Sequence, residues 1–162
     1  MADVVDAQTR SRMMAGIGSR NTKPEILVRR HLHCRGLRFV LGGAGLPGRP
    51  DIVLPKWKTA VFVHGCFWHW HGCALSKLPS SNKRFWKRKL SSNRDRDIVA
   101  MLALISAGWR VANVWECVLR GKPALERLDR AMNDLVHWVQ HPAKGTLLEL
   151  PALAVERAHD AN

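Results

Sequence analysis

The stretch Pro50-Asp51-Ile52-Val53-Leu54-Pro55-Lys56-Trp57-Lys58-Thr59-Ala60-Val61-Phe62-Val63-His64 decides the fold. Residues 50–54 are a short apolar strand led by a carboxylate. Residues 55–58 read as a turn, and residues 59–64 are a second β-rich run. The two runs are predicted to pair as a hairpin. Alternation then sets Phe62 and His64 on one face, and pairing brings Asp51 opposite the 63–64 end. Directly after the hairpin comes Gly65-Cys66-Phe67-Trp68-His69-Trp70-His71-Gly72-Cys73. Thiols, imidazoles and aromatic rings crowded into one loop have the composition of a site, not of a core.

Upstream, Thr22-Lys23-Pro24-Glu25 has the spacing of a capping box with proline in the first turn. It predicts a helix over 24–35, stopped by Gly36. Leu37, Phe39 and Leu41 alternate with Arg38 and Val40, so a strand is expected before the break at Gly42-Gly43-Ala44-Gly45. Downstream, residues 82–107 are helical in pattern and strongly basic at first, with Lys83, Arg84, Lys87, Arg88 and Lys89. The cluster Ser91-Ser92-Asn93 is a point at which this helix can divide in two. Gly108 ends it, residues 109–115 read as the last strand, and Pro123 opens a helix with Leu125, Leu128, Met132, Leu135 and Val139 at helical spacing. Trp109, Trp115 and Trp138 are assigned to core packing. The order helix, strand, strand, strand, helix, strand, helix predicts an α/β fold, a mixed sheet flanked by helices. The expected organisation is a basic N-terminal arm over 1–20 with a helix at 10–15, one domain over 21–140, and a C-terminal tail over 141–162.

A chain of 162 residues suits one domain, and 46% apolar content suffices for a core. Lys and Arg number 26 against 13 acids, a formal charge of +13. That balance points to a polyanionic partner, because each neutralised phosphate releases condensed counterions. No apolar run is long enough for a membrane span, and the first residues lack the pattern of a secretory signal. Four cysteines in that setting predict metal ligands or free thiols in a reducing cytoplasm.

Cys66, His71 and Cys73 lie within eight residues, and Cys117 follows 44 residues later. Four N/S ligands are what a closed tetrahedral zinc site takes, and such a site would pin the aromatic loop to the end of the last strand. The alternative is two buried apolar cysteines and a chance histidine. Cys34 is expected to be a core or surface thiol. Phosphodiester hydrolysis needs a cation to screen the phosphate and a base to deprotonate water. Asp51 and a main-chain carbonyl of the neighbouring strand suit magnesium. His64 and His69 are the imidazoles left for the base. Structural hydrogen bonding is the competing reading of each one.

Leu46-Pro47-Gly48-Arg49-Pro50-Asp51, His64-Gly65-Cys66-Phe67-Trp68-His69, Trp109-Arg110-Val111 and Val114-Trp115-Glu116-Cys117 together closely resemble the very-short-patch-repair (Vsr) DNA mismatch endonucleases. Asn93, Arg96 and Asp97 and the start Met1-Ala2-Asp3-Val4 are similar too; the likeness runs to about Gly121 and fades after Pro123. The resemblance implies a fold like that of type II restriction endonucleases. It implies magnesium-dependent nicking of double-stranded DNA 5′ to the thymine of a T·G mismatch left by deamination of 5-methylcytosine. Carried over by position, it implies Asp51 as the magnesium ligand with the main-chain oxygen of Val63, and His69 as the base. His64 would be a partner of metal-bound water or phosphate, and Glu25 and Asp97 outer-shell carboxylates. Cys66, His71, Cys73 and Cys117 match the structural zinc set. Phe67 and Trp68 resemble a wedge inserted beside the mismatch, with Met14 entering from the other side, Trp86 in the same region, and Lys89 and Asn93 where bases are read. Implied partners are mismatch-repair proteins and a cognate cytosine-5 methyltransferase, for a monomer acting on DNA in a bacterial cytoplasm with no membrane role. Trp70 and Gly72 interrupt the histidine-rich run of the family. A restriction-like nuclease of matched or modified DNA, and a zinc-stabilised DNA-binding module without catalysis, are the competing readings.

Overall fold

The computed structural model describes residues 6, 8, 9, 12, 20–43, 45–120 and 124–151. Most of the basic arm, the helix expected at 10–15 and Met14 lie outside the described residues. The capping box forms as its residues dictate. The Thr22 hydroxyl accepts from the Glu25 N–H, and the Glu25 carboxylate reaches back to the Asn21 N–H and the Thr22 hydroxyl, both at 3.0 Å. Helix α1 therefore runs Lys23–Cys34 and buries Val28 and Leu32. The strand expected around Leu37 and Leu41 shrinks to β1, Val40–Leu41, both exposed at the sheet edge.

The hairpin is present. β2, Ile52–Leu54, pairs antiparallel with β3, Thr59–His64, in the register Ile52↔Val61 and Leu54↔Thr59. The turn closes through a 3-10 turn, Pro55–Trp57, and a left-handed Lys58 at φ 49°. Helix α2, Lys83–Ser106, crosses back so that β4, Arg110–Trp115, lies parallel to β3. The short helix α3, Glu116–Leu119, and α4, Ala124–Gln140, follow. α2 is unbroken at Ser91-Ser92-Asn93, because Leu90 on one side of the cluster and Leu104 on the other are both fully buried and hold one continuous axis.

Residues 147–150, placed in the tail by the sequence pattern, form β5, Leu147–Leu150, parallel to β4. Arg110 explains the correction. Its guanidinium donates to the carbonyls of Trp138, Val139 and Gly145 at 2.7–3.1 Å and lies 3.8 Å over the Trp138 ring. It fastens both the end of α4 and the segment that follows to the first residue of β4. The sheet order is β1-β2-β3-β4-β5, mixed, as the α/β reading required.

One face of the sheet carries the main core, Val61, Ala112 and Val114 against Val28, Leu32, Leu128, Leu135 and Val139 of α1 and α4. The other face carries a smaller cluster, Ala60, Phe62 and Val111 beneath Leu104 of α2. α2 covers only the first part of this second face. Beyond it, Asp51, His64, Asn113, Trp115 and Glu149 line an open cleft. Gly48 (φ +71°) lets the 46–51 turn slip under α2: a Cβ there would stand 2.7 Å from Ala100 Cβ and 3.2 Å from the Phe62 ring. Trp138 is core as expected, and Trp109 packs on the smaller cluster, but Trp115 is half-buried and belongs to the cleft. Cys34 is an exposed free thiol. Among the described residues no helix is long and apolar enough to cross a membrane.

Gly48→Ala is expected to destabilise the protein by about 2–4 kcal/mol, adding a steric clash to left-handed strain. Gly42→Ala, at φ +73° with open space around it, should cost only about 1–2 kcal/mol. Thermal unfolding of the two variants side by side checks the ordering.

Candidate active site and metal centre

The site is assembled from four directions. β2 is preceded by Asp51, whose Oδ2 accepts the Val63 N–H at 2.7 Å, one step past the end of the β2–β3 ladder. β3 ends in His64, buried between Phe62 (ring centroids 5.5 Å, parallel), His69 (4.1 Å) and Trp115 (5.0 Å). α2 presents Trp86, Leu90, Asn93, Asp97, Met101 and Leu104 along one stripe at helical spacing. From it Asp97 Oδ2 meets His69 Nδ1 at 2.5 Å, and Asn93 Nδ2 donates to the Trp68 carbonyl at 3.0 Å. α1 supplies Glu25, which is buried and also paired to Arg29 at 2.8 Å. Glu25, Asp51, His64, His69, Asn93 and Asp97 all border one cleft of about 1060 Å³.

Burial governs the titration of Asp51 and His64. It pushes Asp51 up to about 6, with the Glu25 charge raising it further against the Val63 N–H. It pulls His64 down to about 3, helped by the neighbouring His69. His64 is therefore a neutral, hydrogen-bonding imidazole at working pH and not a cationic phosphate clamp. In the His69–Asp97 contact an ionised carboxylate only accepts, so the His69 nitrogen that meets it, Nδ1, is the one that carries the proton.

Loop 65–73 is folded by its own backbone bonds, from His69 N–H to the Gly65 carbonyl and from His71 N–H to the Cys66 carbonyl. Those bonds bring Cys66, His71 and Cys73 to Cys117 of α3, with all four ligand atoms within 4.8 Å of one another. Cys117 Sγ is 3.5 Å from His71 Nδ1. A tetrahedral ion with a metal–sulfur bond of about 2.3 Å and a metal–nitrogen bond of about 2.0 Å needs a sulfur–nitrogen edge of about 3.5 Å. Burial pushes the Cys66 and Cys117 thiols up. One buried and two half-buried thiols crowded against an imidazole suit a cation that deprotonates them and cancels their repulsion. The cluster could thus hold a metal.

Phe67, Trp68 and Trp86 pack edge to face on each other, with centroids 5.1–6.2 Å apart, and Phe85 extends the group at 5.4 Å from Trp86. Phe67, Trp68 and Trp86 are half-buried and Phe85 is exposed, so the rings form a partly exposed apolar cluster that meets the cleft at Trp68. Lys89 lies 5.8 Å over Phe85 and is otherwise exposed. Asn93 is committed to the Trp68 carbonyl and to Arg96, so it acts first as a clasp on the loop. Sequence reasoning missed Phe85, whose exposure could have been suspected from its place beside Trp86 in a basic helix. It also missed Glu149, whose only signal was the apolar run around it in a supposed tail.

The sequence model of the family described as DNA mismatch endonuclease Vsr matches residues 2–75. Among relatives, the type II nicking enzyme V.XorIIP of Xanthomonas oryzae is 47% identical over 126 residues, 78% of this chain and 93% of the relative. The DNA mismatch endonuclease Vsr of Escherichia coli is 43% identical over 140 residues, 86% of this chain and 88% of the relative. The type II nicking enzyme V.NmeAIP of Neisseria meningitidis is 43% identical, covering 83% and 97%. The chain belongs to the Vsr family of DNA mismatch endonucleases. As a Vsr-family enzyme it is a hydrolase of DNA phosphodiester bonds. In this Vsr-family chain Trp70 takes a left-handed conformation (φ 48°) and Gly72 one of φ 87°, so the interrupted histidine run coincides with the tight turns that bring His71 to the cluster.

Two measurements follow. With its pKa raised on folding, Asp51 favours the folded, metal-free protein below about pH 4 and loses that contribution as pH rises through about 6. Asp51→Asn should therefore stabilise the metal-free protein at pH 8 by on the order of 2 kcal/mol and flatten its stability between pH 4 and 6; chemical denaturation in chelator reads both. Cys117→Ala should release the loop metal and lower the melting temperature, and a metal content per chain equal to that of the parent would count against the assignment.

Proposed function

We propose that this Vsr-family chain nicks one strand of double-stranded DNA on the 5′ side of the thymine in a T·G mismatch, in a magnesium-dependent reaction on a restriction-endonuclease-like frame. The observation that carries the reading is the convergence of Asp51 and the His69–Asp97 pair in one cleft, which an aromatic cluster borders through Trp68. Asp51 and the main-chain carbonyl of Val63 hold magnesium, whose contribution when bound is to screen the phosphate and stabilise the leaving oxygen. His69 Nε2 accepts a proton from the attacking water as its oxygen forms the new bond to phosphorus and the scissile P–O bond breaks. Asp97 steadies the imidazolium that results. His64 offers a neutral hydrogen bond to water or phosphate. Glu25 acts from the outer shell, keeping Asp51 poised through its charge. Cys66, His71, Cys73 and Cys117 hold a structural zinc that locks the loop carrying His69 and the wedge.

Phe67 and Trp68 insert beside the mismatch, Met14 enters from the opposite side, and Trp86 supports the wedge from the same region. A mismatched step stacks poorly, so opening it costs less than opening a matched one, and apolar wedges convert that difference into selectivity. Lys89 reaches bases or backbone from α2, and Asn93 does so after releasing the Trp68 carbonyl. Deaminated 5-methylcytosine is the source of the lesion, which implies a cognate cytosine-5 methyltransferase and mismatch-repair proteins as partners of a monomer working on DNA in a bacterial cytoplasm. The basic excess supports the DNA partner.

A labelled duplex with one T·G pair, incubated with magnesium beside its matched counterpart, tests the reading. Only the mismatched duplex should be nicked, and equal cutting of both would overturn the specificity. Asp51→Ala should cut activity by at least about 100-fold with DNA binding retained, and His69→Ala by about 10²–10⁴-fold.

A further inference from the structure

The first turns of α2 carry more positive charge than a helix start holds without a reason. Residues 83–94 include Lys83, Arg84, Lys87, Arg88, Lys89 and Arg94, and the first acid of the helix is Asp95. Cations at a helix start oppose the macrodipole. Like charges four residues apart, Lys83 with Lys87 and Arg84 with Arg88, also repel. Nothing at this end compensates: the Asn82 side chain caps no N–H, and the first turn contains no acid. Helix α1, by contrast, starts on a capping box with Glu25 in its first turn. Helix α4 intersperses Arg127 and Arg130 with Glu126 and Asp129, so the excess on α2 is local and not the general basicity of the chain.

Lys83, Arg84, Lys87 and Arg88 are all exposed, and none forms a hydrogen bond or ion pair with another described residue. At about 3.6 residues per turn, Arg84 and Arg88 fall on the side of α2 opposite Trp86 and Asn93, with Lys83 and Lys87 on one flank. Arg88 borders a shallow cavity of about 370 Å³ with Phe85 and Lys89, outside the catalytic cleft. Phe85 in turn packs on Trp86 at 5.4 Å and so joins the cluster of Phe67 and Trp68. The unpaired cations therefore stand directly beside the aromatic rings. We propose that the first two turns of α2 are a phosphate-binding surface, on which Lys83, Arg84, Lys87 and Arg88 hold the backbone of duplex DNA beside the mismatch. The proposal rests on DNA as the substrate. It gives these side chains affinity without selectivity, because phosphate contacts carry no base information. Bound phosphates would also cancel the repulsion that these charges impose on the free helix.

Fluorescence anisotropy of a T·G duplex and its matched counterpart, over a range of salt concentrations, tests the surface in the full chain. For Arg84→Gln/Arg88→Gln, and for Lys83→Gln/Lys87→Gln, the plot of log affinity against log salt should be shallower by about 2. Both duplexes should weaken by the same factor, about tenfold or more at low salt, with their ratio unchanged. Arg127→Gln/Arg130→Gln removes the same charge from α4, on the opposite face of the sheet, and should keep the slope of the parent. Glutamine preserves helix propensity and relieves the repulsion, so both α2 variants should melt no lower than the parent at low salt. A parental slope in both α2 variants would overturn the proposal. So would an equal change in the α4 variant, which would reduce the effect to net charge, or a loss confined to the T·G duplex. If the parent cuts matched and mismatched duplexes equally, the reading of the function fails, while the salt slopes still decide the surface.

Discussion

The structure depends on the register of β3. This strand is antiparallel to β2 on one side and parallel to β4 on the other, and its last residues lie where three other elements deliver charged groups. The Asp51 carboxylate accepting the Val63 N–H at 2.7 Å fixes that register one step past the paired residues. A slip of one residue would turn His64 into the main core and set the apolar Val63 in the cleft. It would also separate Asp51 from the backbone group that partly offsets its burial.

The charge distribution gives the cleft its chemistry. The chain carries +13, yet Glu25, Asp51, Asp97, Glu116 and Glu149 all border the same cavity. Concentrating acids where a polyanion must bind is unfavourable unless cations or donors neutralise them. Glu25 and Glu149 are each held by several donors, Glu116 is paired with Arg120 at 3.0 Å, and Asp97 is paired with His69. Asp51 is held by one backbone N–H and half-buried, which leaves it the carboxylate best suited to a hard cation. The thiol cluster does a different task. The loop between β3 and α2 buries only Cys66 and Ser76, so apolar packing contributes little and its path is held by its own backbone bonds, by Asn93 and Asp97 of α2, and by the meeting of Cys66, His71, Cys73 and Cys117.

Much of this was legible in the sequence because the signals were local. The hairpin follows from two β-rich runs around a proline turn, α1 from its capping box, and the metal cluster from soft ligands at short spacing. What escaped was non-local. The apolar run at residues 147–150 is too short to indicate a strand by itself; Arg110, which reaches carbonyls 28–35 residues away, fastens the preceding segment beside β4. Trp115 resembled a core residue, because its partner Glu149 lies in a segment whose position depends on that same arginine. The serine pair in α2 suggested a break, but a break depends on packing, and buried leucines on either side override weak local preferences. The interlock of Asn93 and Asp97 with the loop needed both the helix phase and the loop path.

The most direct test of the account is anomalous diffraction from crystals grown with zinc and soaked in manganese as a stand-in for magnesium. The account predicts a zinc peak only among Cys66, His71, Cys73 and Cys117, and a manganese peak within coordination distance of the Asp51 carboxylate and the Val63 carbonyl. Manganese confined to the thiol cluster, or absent from Asp51, would contradict it.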